Sequence, residues 1–251
     1  MTIERCGQGP TLLLIHGSPG SSQTWRGIGK KLAERYSIVA PTLPGHGPGD
    51  APIVQEISDI AAATLAALGP LNGPATIAAH SFGAVISLQI ALSGKLDIAR
   101  MVLFEPVAFA ILPMTGEQQA FDQAKPIFDG YASQHRAGNK DAVGIMTDFW
   151  FGPGAFARMP EPAQGFMRQQ TAVNVRDVEA VFREHYSLDT LKRLTMPVTV
   201  AYGDKSPAVA QLIARRLALA LPNGRTQAIA GANHAMLTSH QDIAVKLIAD
   251  D

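Results

Sequence analysis

Three short stretches of this sequence combine residues that could carry out nucleophilic catalysis. The first is Ala79-His80-Ser81-Phe82-Gly83, which follows one apolar run and opens another. That is the strand–turn–helix context in which a serine flanked by small residues is lifted out of a sheet edge. The turn is sharp, so the positions two before and two after the serine must be small, and Ala79 and Gly83 meet that demand. Ser81 Oγ is then expected at the N-terminus of the following helix, where partial positive charge favours a developing oxyanion. The second stretch is His16-Gly17-Ser18-Pro19-Gly20, directly after the first strong apolar run. Its glycines can turn a backbone N–H towards the serine, so the N–H groups of Ser18 and Phe82 are the expected oxyanion hole. The third is Gly231-Ala232-Asn233-His234. A serine hydroxyl is a weak nucleophile and needs an adjacent base; His234 is the candidate, ahead of His240, which opens the last helical segment. His80 must point away from Ser81 and reads as a packing residue. His16 and His46 read as loop braces, and His135 and His185 as exposed or pocket-lining groups.

The elements that would position these residues follow from hydrophobic patterning. Thr11–Ile15, Tyr36–Ala40, Ala75–Ala79, Met101–Phe104, Val198–Tyr202 and Thr226–Ala230 are short runs, most of them apolar on both faces and several ending at Gly or Pro. Such runs fit parallel strands covered by helices on both sides. Between them, Gln55–Leu68 places Ile57, Ile60, Ala61, Thr64, Leu65 and Leu68 on one helical face. Ala208–Leu221 carries the stripe Val209, Leu212, Ile213, Leu217 and Ala220, and Phe82–Leu92 is apolar nearly all round, as in a helix buried on most sides. Strand–helix alternation of this kind predicts an α/β fold: a doubly wound, mostly parallel sheet with helices on both faces. The alternation stops between Pro106 and Leu194, a stretch that holds most of the aromatic residues and is broken at Gly152-Pro153-Gly154 and at Pro160 and Pro162. It reads as a helical cap inserted over the strand ends. The expected organisation is a core of residues 1–105 and 195–251 with a cap of residues 106–194.

Composition removes whole classes of function. The chain has 251 residues, 47% of them hydrophobic and 17% charged, which is incompatible with disorder. Lys plus Arg and Asp plus Glu each number 21, so no basic excess exists to neutralise nucleic-acid phosphates. The single cysteine, Cys6, excludes an internal disulfide and a cysteine-based zinc site, and reads as a passive thiol near a flexible terminus. Residues 60–94 carry no charged side chain, but Gly69-Pro70 and Asn72-Gly73-Pro74 interrupt the roughly 20 apolar residues a membrane span needs. No secretory signal is visible, and a cytoplasmic location is the expectation. No metal cluster and no phosphate-binding loop is visible, so neither metal nor cofactor is expected; the partner is a small-molecule substrate, with no nucleic acid and no membrane.

The chain order of oxyanion loop, serine, insertion and histidine, on this sheet pattern, resembles the α/β-hydrolase superfamily over essentially the whole chain. His16–Gly20 looks like that family's oxyanion loop and Ala79–Gly83 like its nucleophile elbow. Pro41-Thr42-Leu43-Pro44-Gly45-His46-Gly47 is similar to its D-x-x-G-x-G loop, with Thr42 where Asp is usual. The third triad member orients the histidine and stabilises the imidazolium. In the commonest family pattern it is an Asp three residues after a Gly that ends the penultimate strand. Here that Gly is Gly203 and the position is Ser206, which supplies no charge. Two carboxylates remain. Glu105 follows the strand after the nucleophile strand, an arrangement resembling that of haloalkane dehalogenases, and an acid beside an apolar cap needs a partner. Asp204 is on the usual strand but two residues early. Glu105 is the expected acid, Asp204 the alternative, and a degraded triad the third possibility. The resemblance implies a cofactor-free serine hydrolase acting on a carboxylic ester of a small, mainly apolar substrate through an acyl-enzyme. A C–C bond hydrolase or lyase using the same site, or a non-catalytic ligand receptor on the same fold, are the alternatives. Dehalogenase and epoxide hydrolase chemistry both require Asp where this chain has Ser81.

Overall fold

The computed structural model describes residues 1–47 and 56–250. Its strands are β1 (Ile3–Cys6), β2 (Thr11–Ile15), β3 (Ser37–Pro41), β4 (Ala75–His80), β5 (Ile98–Phe104), β6 (Val198–Gly203) and β7 (Gly224–Ile229). They form one sheet in the order β1-β3-β2-β4-β5-β6-β7. Among the described residues only β1 runs antiparallel to its neighbour; the remaining pairs are parallel. The helices are α1 (Arg26–Leu32), α2 (Ile57–Leu68), α3 (Phe82–Leu92), α4 (Ile111–Met114), α5 (Gln118–Arg136), α6 (Val143–Phe151), α7 (Glu161–Arg183), α8 (Leu188–Leu191), α9 (Ala208–Ala220), α10 (Met236–Ser239) and α11 (Gln241–Ala249).

The period of two along each strand sorts side chains into two cores. Leu13, Ile15, Ile77, Ala79, Met101 and Leu103 face α2, α3 and α9 on one side. Leu12, Leu14, Ala78, Val102 and Phe104 meet Ile28 and Leu32 of α1 and Ala244 and Ile248 of α11 on the other. Covering on both faces explains why β2 and β4 read as continuous apolar runs. The consequence for function is that the C-terminal ends of β4, β5, β6 and β7 lie side by side along one edge.

Several boundaries depart from the sequence expectation. β1 was missed because it is a half-exposed edge without an apolar run; its order comes from backbone pairing with β3, Ile3 opposite Pro41. Cys6 therefore ends a strand and is exposed, rather than lying in a loose terminus. β5 begins at Ile98, three residues before the MVLF run. The buried stripe of α9 is Ala210, Ile213, Ala214, Leu217 and Ala218, so Val209 and Leu212 are only partly covered. Small alanines bring the helix close to the sheet: a Cβ on Gly224 would collide with the backbone of Ala218. The expected start of α2 at Gln55 lies outside the described residues; the helix is described from Ile57, with Glu56 as its cap. Residues 106–194 contain α4 to α8 and no strand. Pro160 and Gly152 bound helices as anticipated, but Pro162 sits in the first turn of α7, where its missing N–H has no intrahelical acceptor to lose.

Candidate active site

Four consecutive strand ends carry the predicted residues. Ser81 follows β4 and is the N-cap of α3, with φ 54° and ψ −119°. Glu105 follows β5 with φ 43°. Among the described residues these are the two non-glycine residues with positive φ. Each such conformation costs on the order of 1–3 kcal/mol and persists only where surrounding contacts over-determine it. The contacts are identifiable. Ser81 N–H donates to the Phe104 carbonyl at 2.9 Å and Glu105 N–H to the Ala201 carbonyl at 2.8 Å, extending the parallel ladder past the strand ends. Gly83 lets α3 approach β2 so closely that any Cβ there would strike the carbonyl of His16.

The structure brings Ser81, His234 and Glu105 into one line. His234 Nδ1 lies 2.6 Å from Glu105 Oε2, and His234 Nε2 lies 3.1 Å from Ser81 Oγ. A carboxylate only accepts, so Nδ1 carries the ring proton and Nε2 is free to accept from the serine hydroxyl. Glu105 is 1% exposed, Ser81 5% and His234 8%. Its second oxygen, Oε1, accepts from Gly203 N–H at 2.8 Å and from the Ser206 hydroxyl. Burial pushes the Glu105 carboxyl pKa up. The hydrogen bond and charge of His234, with the donors Ser206 and Gly203, more than reverse that, and the net shift is downward. Ser206, at the position where the family resemblance places an acid, thus donates to the acid supplied by the neighbouring strand. Asp204 is exposed and turns to the Gly231 N–H at 2.8 Å, away from His234.

Other histidines hold the site rather than enter it. His80 Nε2 donates to the His234 carbonyl at 3.0 Å, and the two rings lie 4.8 Å apart, so His80 fixes the loop that carries His234. Its pKa is lowered to about 3, by desolvation first and then by His234. His16 Nδ1 donates to Gly17 O at 2.7 Å and its Nε2 accepts from Leu43 N–H at 2.8 Å, a neutral brace whose pKa is lowered to about 3 by burial and by His46. His46 faces Asp177 of α7 at 2.8 Å. His240 bonds to Ser239 and His185 is exposed; neither borders the site. His135 is also remote, in the last turn of α5.

Ser18, Ser81 and Phe82 border one cavity with residues of the helical insertion. Neither Ser18 N–H nor Phe82 N–H has a backbone acceptor among the described residues, as two groups available to an oxyanion require. Ser18 Oγ accepts from Asn174 Nδ2 at 3.0 Å, and Asn174 Oδ1 in turn accepts from the Tyr131 hydroxyl at 2.9 Å. Because Tyr131 fixes the amide orientation, helices α5 and α7 position the loop that carries Ser18. Trp150 of α6 stacks on the His234 ring, centroids 3.8 Å apart and planes at 14°. Sequence reasoning missed Ser206, Asn174 and Trp150. Ser206 was found as a position but not as a donor. Nothing local in the sequence separates Trp150 from the other aromatics of its segment.

Comparison with known proteins agrees with this architecture. The esterase of Exiguobacterium antarcticum superposes with a TM-score of 0.76 at 17% identity, covering 98% of this chain and 92% of that one. MenH of S. aureus gives 0.75 at 17% identity, over 98% and 95%. In sequence, the pimeloyl-[acyl-carrier protein] methyl ester esterase of Aromatoleum aromaticum is 26% identical over 96% of this chain and 97% of its own length. Proteins of Mycobacterium with no assigned activity are 36% identical over 99 residues, and the chain spans only 29% of their length. Among the described residues no helix is long and apolar enough to cross a membrane. The model of the alpha/beta hydrolase family matches residues 12–246, nearly the full chain, and with the sheet order and the strand-end geometry this places the protein in the alpha/beta hydrolase family.

Proposed function

We propose that the protein is a serine hydrolase of carboxylic esters whose substrates are small and mainly apolar. The observation that carries this reading is the unbroken line Glu105–His234–Ser81, with the ring proton on the nitrogen that faces the acid. Ser81 Oγ attacks the ester carbonyl while His234 Nε2 takes its proton. The carbonyl oxygen becomes an oxyanion held by the N–H groups of Ser18 and Phe82. The tetrahedral centre collapses, the C–O bond to the alcohol breaks, and His234 returns the proton to the leaving oxygen. Water, deprotonated by the same nitrogen, then releases the acid from Ser81. Glu105 stays ionised throughout and stabilises the imidazolium. The helices of residues 106–194 act as a cap: they supply the Trp150 face that shields His234 and the Asn174 hydrogen bond that steadies the oxyanion loop.

The test is labelling with a fluorophosphonate together with turnover of p-nitrophenyl acetate. One serine should be labelled, and Ser81→Ala should abolish both signals while the thermal unfolding transition is retained. Full labelling or full turnover in Ser81→Ala overturns the assignment.

A further inference from the structure

The active-site cavity is divided, and the two parts differ in size and in which catalytic group they touch. One lobe, about 30 Å³, is bordered by Ser81 and Phe82 and by Phe109, Phe128 and Phe182 of the insertion. The other, about 230 Å³, is bordered by His234 and by Met159, Met167 and Phe151. Ser18, Met146 and Trp150 border both, so the lobes meet at the oxyanion loop and at the indole stacked on the base.

Reaction geometry assigns the lobes. The alcohol oxygen must receive the proton carried by His234, so the alcohol leaves on the side of the imidazole. The carbonyl oxygen must lie by the Phe82 N–H, and the acyl chain continues from that carbonyl on the side away from the leaving group. His234 borders only the large lobe, and Ser81 and Phe82 only the small one. We infer that the enzyme takes esters of a short acyl group with a bulky apolar alcohol: the acyl chain enters the phenylalanine lobe and the alcohol the methionine lobe. The inference rests on the serine-hydrolase reading above and adds the substrate class.

The walls agree with this division. Phe109 stacks on Phe182 at 4.6 Å, Phe128 meets Phe109 at 5.6 Å and Phe182 at 5.3 Å, and Phe109 and Phe128 are fully packed. Interlocked rings cannot yield to a longer chain without displacing one another. The lobe bordered by these rings, about 30 Å³ against about 230 Å³ for the other, is the one that limits chain length, which makes the acyl group the shorter part of the ester. The large lobe is walled by unbranched thioethers, which re-pack around differently shaped groups. Phe151, 37% exposed, stands at its mouth and offers an apolar entry.

The experiment uses two ester series on the intact protein. p-Nitrophenyl acetate, butyrate, hexanoate and octanoate vary the acyl group. Ethyl, butyl, hexyl and cyclohexylmethyl acetates, whose alcohols are of nearly equal acidity, vary the alcohol, followed by acid release. From butyrate to octanoate kcat/KM should fall at least ~10-fold, the scale on which one or more unaccommodated methylenes are rejected. From ethyl to cyclohexylmethyl acetate it should rise. Phe182→Ala should raise the octanoate-to-acetate ratio, and Met167→Trp should lower the cyclohexylmethyl-to-ethyl ratio. Each is read as a ratio within one variant, so a change in folded fraction cancels. A preference for long acyl chains on small alcohols, or a flat response in both series, overturns the assignment while leaving the hydrolase reading intact. Absence of fluorophosphonate labelling and of turnover with every ester overturns the hydrolase reading, and the assignment falls with it.

Discussion

Replacing Glu105 by glutamine changes one atom and removes one charge, and the surrounding hydrogen bonds dictate the outcome. Oε1 faces the Gly203 N–H at 2.8 Å, a donor that cannot turn away, so the amide must place its oxygen there. Its NH₂ group then replaces the carboxylate oxygen that lies 2.6 Å from His234 Nδ1. Two donors cannot face each other. The imidazole must move its proton to Nε2, and Nε2 then cannot accept from Ser81 Oγ at 3.1 Å. In the serine-protease template the corresponding acid-to-amide change costs about 10⁴ in kcat. That factor corresponds to about 5.4 kcal/mol of transition-state stabilisation. We expect Glu105→Gln to lose at least ~10²-fold in kcat and up to that limit. KM should change little, because the side chain touches no substrate. The assay is initial-rate hydrolysis of p-nitrophenyl acetate normalised to folded protein. Stability supplies an independent check. The carboxyl pKa of Glu105 is lower in the folded protein, so its stabilising contribution is complete above the ordinary glutamate range and is lost as pH falls through the folded value. The stability gap between wild type and Glu105→Gln should therefore narrow on acidification. Activity within tenfold of wild type would refute the tautomer argument and with it the choice of acid.

Two further perturbations follow from the same contacts. Ser206→Asp puts a second carboxylate against Glu105 Oε1, where a hydroxyl now donates; like charges that close cannot both ionise. The single variant should lose ~10-fold or more in kcat, whereas Glu105→Gln combined with Ser206→Asp should regain at least ~10-fold over Glu105→Gln, since a charge is restored beside the same imidazole nitrogen; a double variant no better than Glu105→Gln would show that the β6 loop cannot present an acid to His234. Elsewhere, burial raises the Glu184 carboxyl pKa more than the 3.0 Å hydrogen bond from Gln89 lowers it, so the folded chain binds the extra proton and stability is lost as pH climbs from the ordinary glutamate value through the folded one. Glu184→Gln should raise Tm at pH 7 and leave it unchanged at about pH 4; an equal effect at both would remove the charge from the explanation.

What was legible in the sequence is what local pattern controls. β2 and β4 are continuous apolar runs because both faces are covered, and Phe82–Leu92 was readable to the residue because a helix so apolar must be buried. That Ser81 and His234 sit at strand ends was legible because small residues flank Ser81 and a turn glycine, Gly231, separates the last strand from His234. β1 was not legible, since an edge strand with exposed side chains is held by backbone pairing that side-chain pattern does not encode. The stripe of α9 was misplaced by a residue because alanines at the contact were outscored by larger neighbours. Trp150 and Asn174 were illegible for a different reason. They sit on helices whose own periodicity says which face is buried but not against what. Their meaning comes from the docking of residues 106–194 on the strand ends, a long-range contact.

The position of the acid shows how the sheet constrains chemistry without naming the residue that performs it. β4, β5, β6 and β7 are successive neighbours, and adjacent strands lie about 4.8 Å apart. His234, following β7, must reach back across β6 and β5 to meet Ser81 after β4. Its Nδ1 is met there by Glu105, from the end of β5. Glu105 comes from the strand next to that of Ser81 and has a left-handed backbone conformation, while the backbone and hydroxyl of β6 and its loop supply the donors that hold it. In this chain Glu105 Oε2 faces His234 Nδ1, while Gly203 and Ser206 donate to Oε1. A likeness at 17% identity shows the shared fold and no more. Activity must accordingly be argued from Glu105, Ser206 and the linings of the two lobes rather than from the sheet they stand on.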